Sequence, residues 1–128
     1  IGRDPHHRQK MAVNVSGGKK AITHYKVLEN FERCSLIQFQ LETGRTHQIR
    51  VHTSSLLKRP ILCDPLYGSP ADHVTKLGSD YKSLLATYPH PFLHARVLGL
   101  KHPITGEQLR FEVEPPKIFQ EVLQLLRK

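Results

Sequence analysis

The run LETGRTHQIRVH, residues 41–52, places Arg45, His47, Arg50 and His52 within eight residues, threaded between Ile49 and Val51. A guanidinium is permanently charged, and its planar fork grips a carboxylate or phosphate at two points. Imidazoles beside it can hold or release a proton near neutral pH. The chemistry on offer is the binding of an oxyanion and the stabilisation of negative charge. Arg50, set between two apolar residues at the edge of a core, needs an anion, because an unpaired charge there is costly. The candidates are a local acid such as Glu42 or Glu114, a catalytic carboxylate, or an RNA phosphate.

The elements that must position these residues can be read from patterning. In THQIRVHTSSLLK, Ile49, Thr53 and Leu56 recur at helical spacing, as do His47, Arg50, Val51 and Ser54. This predicts a short helix with an apolar and a cationic face, Thr46 as its N-cap, and Pro60 as its end. Upstream, AITHYKVLE (21–29) is rich in β-branched and aromatic residues, and SLIQFQLE (35–42) alternates apolar with polar. Two strands joined as an antiparallel hairpin follow from that. ILCD (61–64) reads as a short strand before a PLYGSP turn, and residues 70–91 as a polar loop with a helical piece. Residues 92–114 suit a hairpin closed around Pro103–Ile104–Thr105–Gly106. Finally, PPKIFQEVLQLLRK puts Ile118, Phe119, Val122, Leu123 and Leu126 on one side of a terminal helix. The expected class is α+β, a mostly antiparallel sheet with packed helices, over residues 1–128 as one domain.

Residues 1–20 form a basic arm with Met11–Val15 extended. The formal net charge is +8, before any of nine histidines is protonated, and the sequence pI is near 9.8. Charge of that sign steers a chain towards polyanions. Arg3, Arg8, Lys10, Lys19 and Lys20 of the arm, with Arg45 and His47, are therefore RNA-contact candidates; a solvated basic surface is the plain alternative. Arg45 follows Gly44 at a helix entry, where backbone N–H groups also favour phosphate. No apolar run approaches the roughly 18 residues of a membrane span, and no secretory signal is visible. Cys34 and Cys63 lie far apart, as in a reduced cytoplasmic protein. The chain opens on Ile1, as an excised or processed piece would.

Two enzymatic rivals carry less. Zinc lacks a ligand pattern: His47 and His52 do not stack on one helical face, and Pro91 interrupts the His90–His94 interval. The H-x-[ST] pairs His52-Thr53-Ser54 and His73-Val74-Thr75 fit a 2H-type phosphoesterase, but such matches arise by chance at this histidine content.

LETGRTHQIRVH, with RPILCDPLYG and then FLHA, HP-x-TGE and the IGRDPHHRQKMAV front end, closely resembles the RluA-type pseudouridine synthases that modify bacterial large-subunit ribosomal RNA. The likeness runs along nearly the whole chain. It implies isomerisation of uridine to pseudouridine without metal or organic cofactor, through a nucleophilic aspartate and a flipped-out base. It also implies that Arg50 pairs with that aspartate and that Leu93 lies near the pyrimidine, against simple core packing for Leu93. RNA is the implied partner; neither DNA nor membrane is. The family's aspartate sits in an HRLD-type motif, and none of Asp4, Asp64, Asp72 and Asp80 has that context. Asp64 matches the family's GD-x-x-YG segment instead. The resemblance thus reads this chain as the C-terminal part of a catalytic domain, inactive alone, its nucleophile on the N-terminal remainder of a parent protein. A non-catalytic RNA-binding module is the alternative. Lys58-Arg59 replace the family's usual Gly-His, Cys63 replaces its glycine before the Asp, and His90 stands where it carries arginine.

Overall fold

The β-branched run from Ala21 and the alternating run from Ser35 form strands that, among the described residues, pair only with each other. In this computed structural model, which describes residues 1–7, 9–70, 73, 77–85, 90–95, 97–101, 108–112 and 114–127, they are β3 (Thr23–Asn30) and β4 (Ser35–Leu41). The ladder is antiparallel, with Tyr25 opposite Phe39 and Val27 opposite Ile37, and it slips at a bulge between Val27 and Glu29. The Phe31 N–H donates to the Cys34 carbonyl at 2.8 Å and closes the hairpin. Because side chains alternate along a strand, Thr23, Tyr25, Val27, Ile37, Phe39 and Leu41 share one face. That apolar face is only partly covered: Tyr25, Val27 and Leu41 are exposed.

The basic arm is more ordered than its composition predicts. Gly2–Arg3 (β1) and Met11–Ala12 (β2) form a small antiparallel ladder. The Asp4 carboxylate accepts the backbone N–H groups of His6 and His7, which fixes the turn between them.

Helix α1, Gln48–Ser55, meets β2 and β3. Its start differs from the expectation. The N-cap is His47, in the left-handed conformation at φ 54° and making no side-chain cap bond, not Thr46. The apolar face differs too: Gln48, Val51 and Thr53 are the buried residues, while Leu56 is 58% exposed. One polar residue explains the rotation. The buried Gln48 amide accepts from the Thr43 hydroxyl (2.7 Å) and the Arg45 N–H (3.0 Å), and donates to the Ile22 carbonyl (3.0 Å) and Thr23 Oγ1 (2.8 Å). It holds the loop entering the helix and ties the first turn to β3, a fully satisfied polar joint. The helix ends at Ser55, and Lys58 turns the chain at φ 57° ahead of Pro60.

ILCD is not a strand. Cys63 takes φ 62°, and the Asp64 N–H closes back on the Ile61 carbonyl at 3.1 Å. Flanked by Pro60 and Pro65, the segment cannot offer a continuous ladder of donors. Gly68 completes the following turn, where a Cβ would meet the Pro60 Cβ at 3.1 Å and the Asp64 carbonyl at 3.3 Å. The helical piece expected in 70–91 is α2, Ser79–Leu85.

By their contacts Ile1–Pro91 form one unit and Phe92–Lys128 another. The second holds β5 (Val97–Lys101), antiparallel to β6 (Gln108–Glu112), and α3 (Lys117–Leu126). The expected turn at 103–106 lies outside the described residues. Val122 is the buried residue of α3, and the Phe119 ring stands 5.7 Å from that of Phe92. The chain is α+β, and its pairing among the described residues is antiparallel throughout, in three separate two-stranded ladders.

Candidate functional site

Arg50 projects from α1 towards the Asp64 turn, and the two side chains lock together. Nε donates to Oδ2 at 2.8 Å and Nη2 to Oδ1 at 2.7 Å. Arg50 therefore has a partner within its own chain, Asp64 rather than Glu42 or Glu114. The expected pairing with an aspartate absent from the chain would be additional to this one. Asp64 is 0% exposed, and its Oδ1 also accepts the N–H groups of Leu66 (3.0 Å) and Tyr67 (3.1 Å). Burial pushes its carboxyl up, but the Arg50 bonds and the two backbone donors outweigh it and hold the pKa below the ordinary value. The same bond raises Arg50, against a smaller opposing effect of burial.

Tyr67 organises the surroundings. Its ring lies 5.1 Å from the Arg50 guanidinium carbon and 5.7 Å from Lys10 Nζ. Both separations fall within cation–π range. The Tyr67 oxygen accepts the Met11 N–H at 2.8 Å, which anchors β2, and its hydroxyl faces His47 Nδ1 at 2.8 Å. Which of the two donates in that bond depends on the His47 tautomer. The His47 pKa is lowered, by burial first and then by the Arg50 charge, with Asp64 pulling the other way.

Arg50, His47 and Lys10 are thus brought together around Tyr67. Arg45 instead donates its Nε–H to the Lys20 carbonyl at 2.8 Å, and so holds the arm to the helix entry. Exposed Lys19 and Lys20 line a separate open hollow of ≈ 400 Å³ with Val13, Asn14, His52 and Leu56. A smaller one, ≈ 220 Å³, is bordered by His7, Gln9, Lys10 and Leu66. Neither is lined by Arg50. Arg3 is exposed on β1, and Arg8 lies outside the described residues. Leu93 belongs to the second unit and is 40% exposed, which does not match core packing. Sequence reasoning missed Asp64 as a partner and Tyr67 altogether. The signal was DPLYG itself, a turn whose acid and aromatic ring lie within four positions of each other.

The pKa shifts set the response to acid. His47 is lowered in the fold, so its contribution is complete above the ordinary histidine value of about 6.5 and is lost as pH falls through the folded value. Asp64 is also lowered, so its contribution persists until pH drops below about 3.9, the ordinary aspartate value. Urea unfolding followed against pH is expected to show two losses, one beginning in the histidine range and one in the carboxylate range. His47→Gln should shrink the first, leaving the share of His52, which burial also lowers, and should leave the second unchanged; a single acid step in the unsubstituted chain would contradict this assignment.

A guanidinium clamped to a buried carboxylate at the start of a basic helix suits a protein that handles anionic substrate. The sequence matches narrow that class. Residues 1–55 match the family described as RNA pseudouridylate synthase. That match agrees with the resemblance read from the sequence, and the curated relatives extend it along the chain. Ribosomal large subunit pseudouridine synthase D of Neisseria meningitidis serogroup B is 44% identical over 128 residues, 99% of this chain and 33% of the relative. Its namesake in Pseudomonas aeruginosa is 44% identical over 100% of this chain and 39% of its own length. An RNA pseudouridine synthase of Bacillus subtilis, YlyB, is 44% identical over 100% of this chain and 37% of itself. The chain thus spans little more than a third of the curated relatives it matches.

Proposed function

We propose that this chain is the C-terminal portion of the catalytic domain of an RNA pseudouridine synthase, which isomerises uridine in structured RNA of the large ribosomal subunit. The observation that carries this reading is the Arg50 guanidinium, fixed on one edge by Asp64 within the TGRTHQIRVH block. In such an enzyme Arg50 would keep the nucleophilic carboxylate ionised and aimed, which is orientation plus electrostatic preorganisation. Lys10, Lys19, Lys20, Arg3, Arg8, Arg45 and His47 would meet RNA phosphates, and Leu93 would border the pyrimidine. The nucleophile itself would come from the N-terminal remainder of the parent.

One observation favours a second reading for these 128 residues taken alone, that of an RNA-binding module. Asp64 is committed to Arg50 and Asp4 to the turn of the arm, and Asp80 lies exposed at the start of α2. None of these three is placed to attack a nucleotide held by Arg50; Asp72 lies outside the described residues.

The test compares two polypeptides. The 128-residue chain is expected to bind ribosomal RNA and form no pseudouridine, whereas a parent protein of the relatives' length converts uridine. In that parent, Arg50→Lys is expected to cut turnover by more than about tenfold, the loss of about 1.4 kcal/mol of transition-state stabilisation. RNA affinity should hardly change. Pseudouridine made by the isolated chain, or equal turnover by the lysine variant, would overturn the assignment.

A further inference from the structure

The hollow that Lys19 and Lys20 share with His52 has no carboxylate among its lining residues. Backbone bonds hold its rim. Asn14 and Gly17 are left-handed, at φ 56° and 76°, and the Gly18 N–H donates to the Val15 carbonyl at 3.0 Å. A Cβ at Gly18 would stand 2.9 Å from that carbonyl, so the turn closes this tightly only on glycine. The Lys19 N–H donates to the Ile1 carbonyl at 2.8 Å, and the Lys20 carbonyl accepts the Arg45 Nε–H. Both lysine stems thus leave a pinned main chain, and among the described residues no acid pairs with either ammonium.

His52 faces them from α1. Its Nδ1 meets Thr23 Oγ1 at 2.7 Å, and that hydroxyl also accepts the Gln48 Nε2–H at 2.8 Å. Gln48 cannot turn over, because its Oε1 takes the Arg45 N–H and its Nε2 gives to the Ile22 carbonyl. The imidazole is therefore held at one nitrogen by the joint that ties α1 to β3. Among the described residues nothing bonds its other nitrogen, Nε2, yet no buried side-chain nitrogen lacks a partner. Nε2 is thus open to solvent, on a residue that borders the hollow.

We infer that this hollow is an anion site separate from Arg50, in which Lys19, Lys20 and His52 Nε2 grip a single backbone phosphate of the RNA. The inference rests on the reading of the chain as one that handles RNA, and deepens it by adding His52 and by giving both lysines the same phosphate. Two ammonium groups without a counter-charge repel cations and draw in an oxyanion, and a phosphate has oxygens enough for three charge-assisted donors. The charges facing His52 across the hollow are Lys19, Lys20 and the Ile1 ammonium, all positive, while Thr23 on β3 is neutral. Burial and then the Ile1 charge lower the His52 pKa, and a bound phosphate would pull it back up.

The experiment follows the His52 ring and the backbone amides by NMR in the 128-residue chain, with the Ile1 amine acetylated so that its charge plays no part. Inorganic phosphate is the first probe. It is expected to raise the His52 pKa and to shift the amides of residues 15–20. A single-stranded uridine oligonucleotide is the second, and should move the same signals. Lys19→Gln with Lys20→Gln should flatten the dependence of log affinity on log salt by about 0.7, one single-strand phosphate, where two lysines on separate phosphates would flatten it by about 1.4. His52→Gln should weaken the oligonucleotide by about tenfold, the scale of one hydrogen bond to a charged group, with α1 and β3 amides still protected. The titrations of the unsubstituted chain decide the matter even if that variant unfolds. Phosphate that leaves His52 unmoved, or a salt slope that falls by two phosphates, would overturn the proposal. An oligonucleotide that binds without moving the hollow's signals would overturn it too, yet leave RNA handling intact. A parent that makes no pseudouridine would sink the enzymatic reading and leave these titrations to judge the hollow.

Discussion

Arg50→Ala is expected to lower the free energy of unfolding by about 3–5 kcal/mol, the usual cost of leaving one half of a buried ion pair behind. Asp64 is wholly enclosed, and no cation besides Arg50 bonds its carboxylate among the described residues. Without that partner, burial is the largest influence left on its carboxyl, opposed by the Leu66 and Tyr67 N–H groups. The deficit should therefore be greatest at neutral pH and shrink in acid, where the carboxyl takes a proton and no charge remains buried. Against a total stability of about 5–15 kcal/mol for a domain, the variant would sit near its limit. Urea denaturation at neutral and acid pH reads both effects. A loss below about 1 kcal/mol, the range of a solvated surface pair, would show that the pair is not sealed from water. Replacing both residues at once, Arg50→Met with Asp64→Leu, should cost less than either removal alone, because no stranded charge is left.

Gln48→Leu is expected to be the next most damaging single change, at about 3 kcal/mol. Leucine has similar bulk but strands the Arg45 N–H and takes one bond each from the Ile22 carbonyl and the Thr23 and Thr43 hydroxyls, which keep the Glu42 N–H, His52 and the Ile22 N–H as partners. An unmet buried polar group costs about 1–3 kcal/mol, and the three weakened groups add to it. Glutamate at this position separates the roles: Gln48→Glu keeps the two accepting contacts and loses the two donating ones. Hydrogen exchange is the sensitive measurement. Amides of β3 should lose protection together with those of α1, since the same side chain links them. Loss confined to α1 would mean that Gln48 is only a cap.

The strands of the first unit were legible because their signal is local. Alternation in SLIQFQLE fixes which face each residue takes, and the pairing of Tyr25 with Phe39 follows. The terminal helix, with its stripe centred on Val122, was legible for the same reason. Helix α1 was visible but its rotation was not. Apolar spacing selected Ile49, Thr53 and Leu56, whereas the four bonds of Gln48 drew a polar residue inside and left Leu56 in water. In the site, the type and importance of Arg50 could be inferred from its setting. Its partner could not, because Asp64 is reached through a turn whose geometry depends on left-handed Cys63, and ILCD carries the apolar content of a strand. Tyr67 was silent for a related reason: its role lies in contacts to two separate segments, the arm through Met11 and the start of α1 through His47 and Arg50.

Lys58 and Cys63, the two left-handed residues between helix α1 and Asp64, stand where the resemblance implies glycine. A side chain in that conformation costs roughly 1–2 kcal/mol per residue, a cost glycine does not incur. The loop delivering the carboxylate is therefore sprung, and part of the ion pair's attraction goes into holding it shut. The energetics of positions 50, 58, 63 and 64 must then be coupled rather than independent. The salt bridge is expected to register as weaker here than in a variant of this chain with glycine at positions 58 and 63, where the loop would be relaxed.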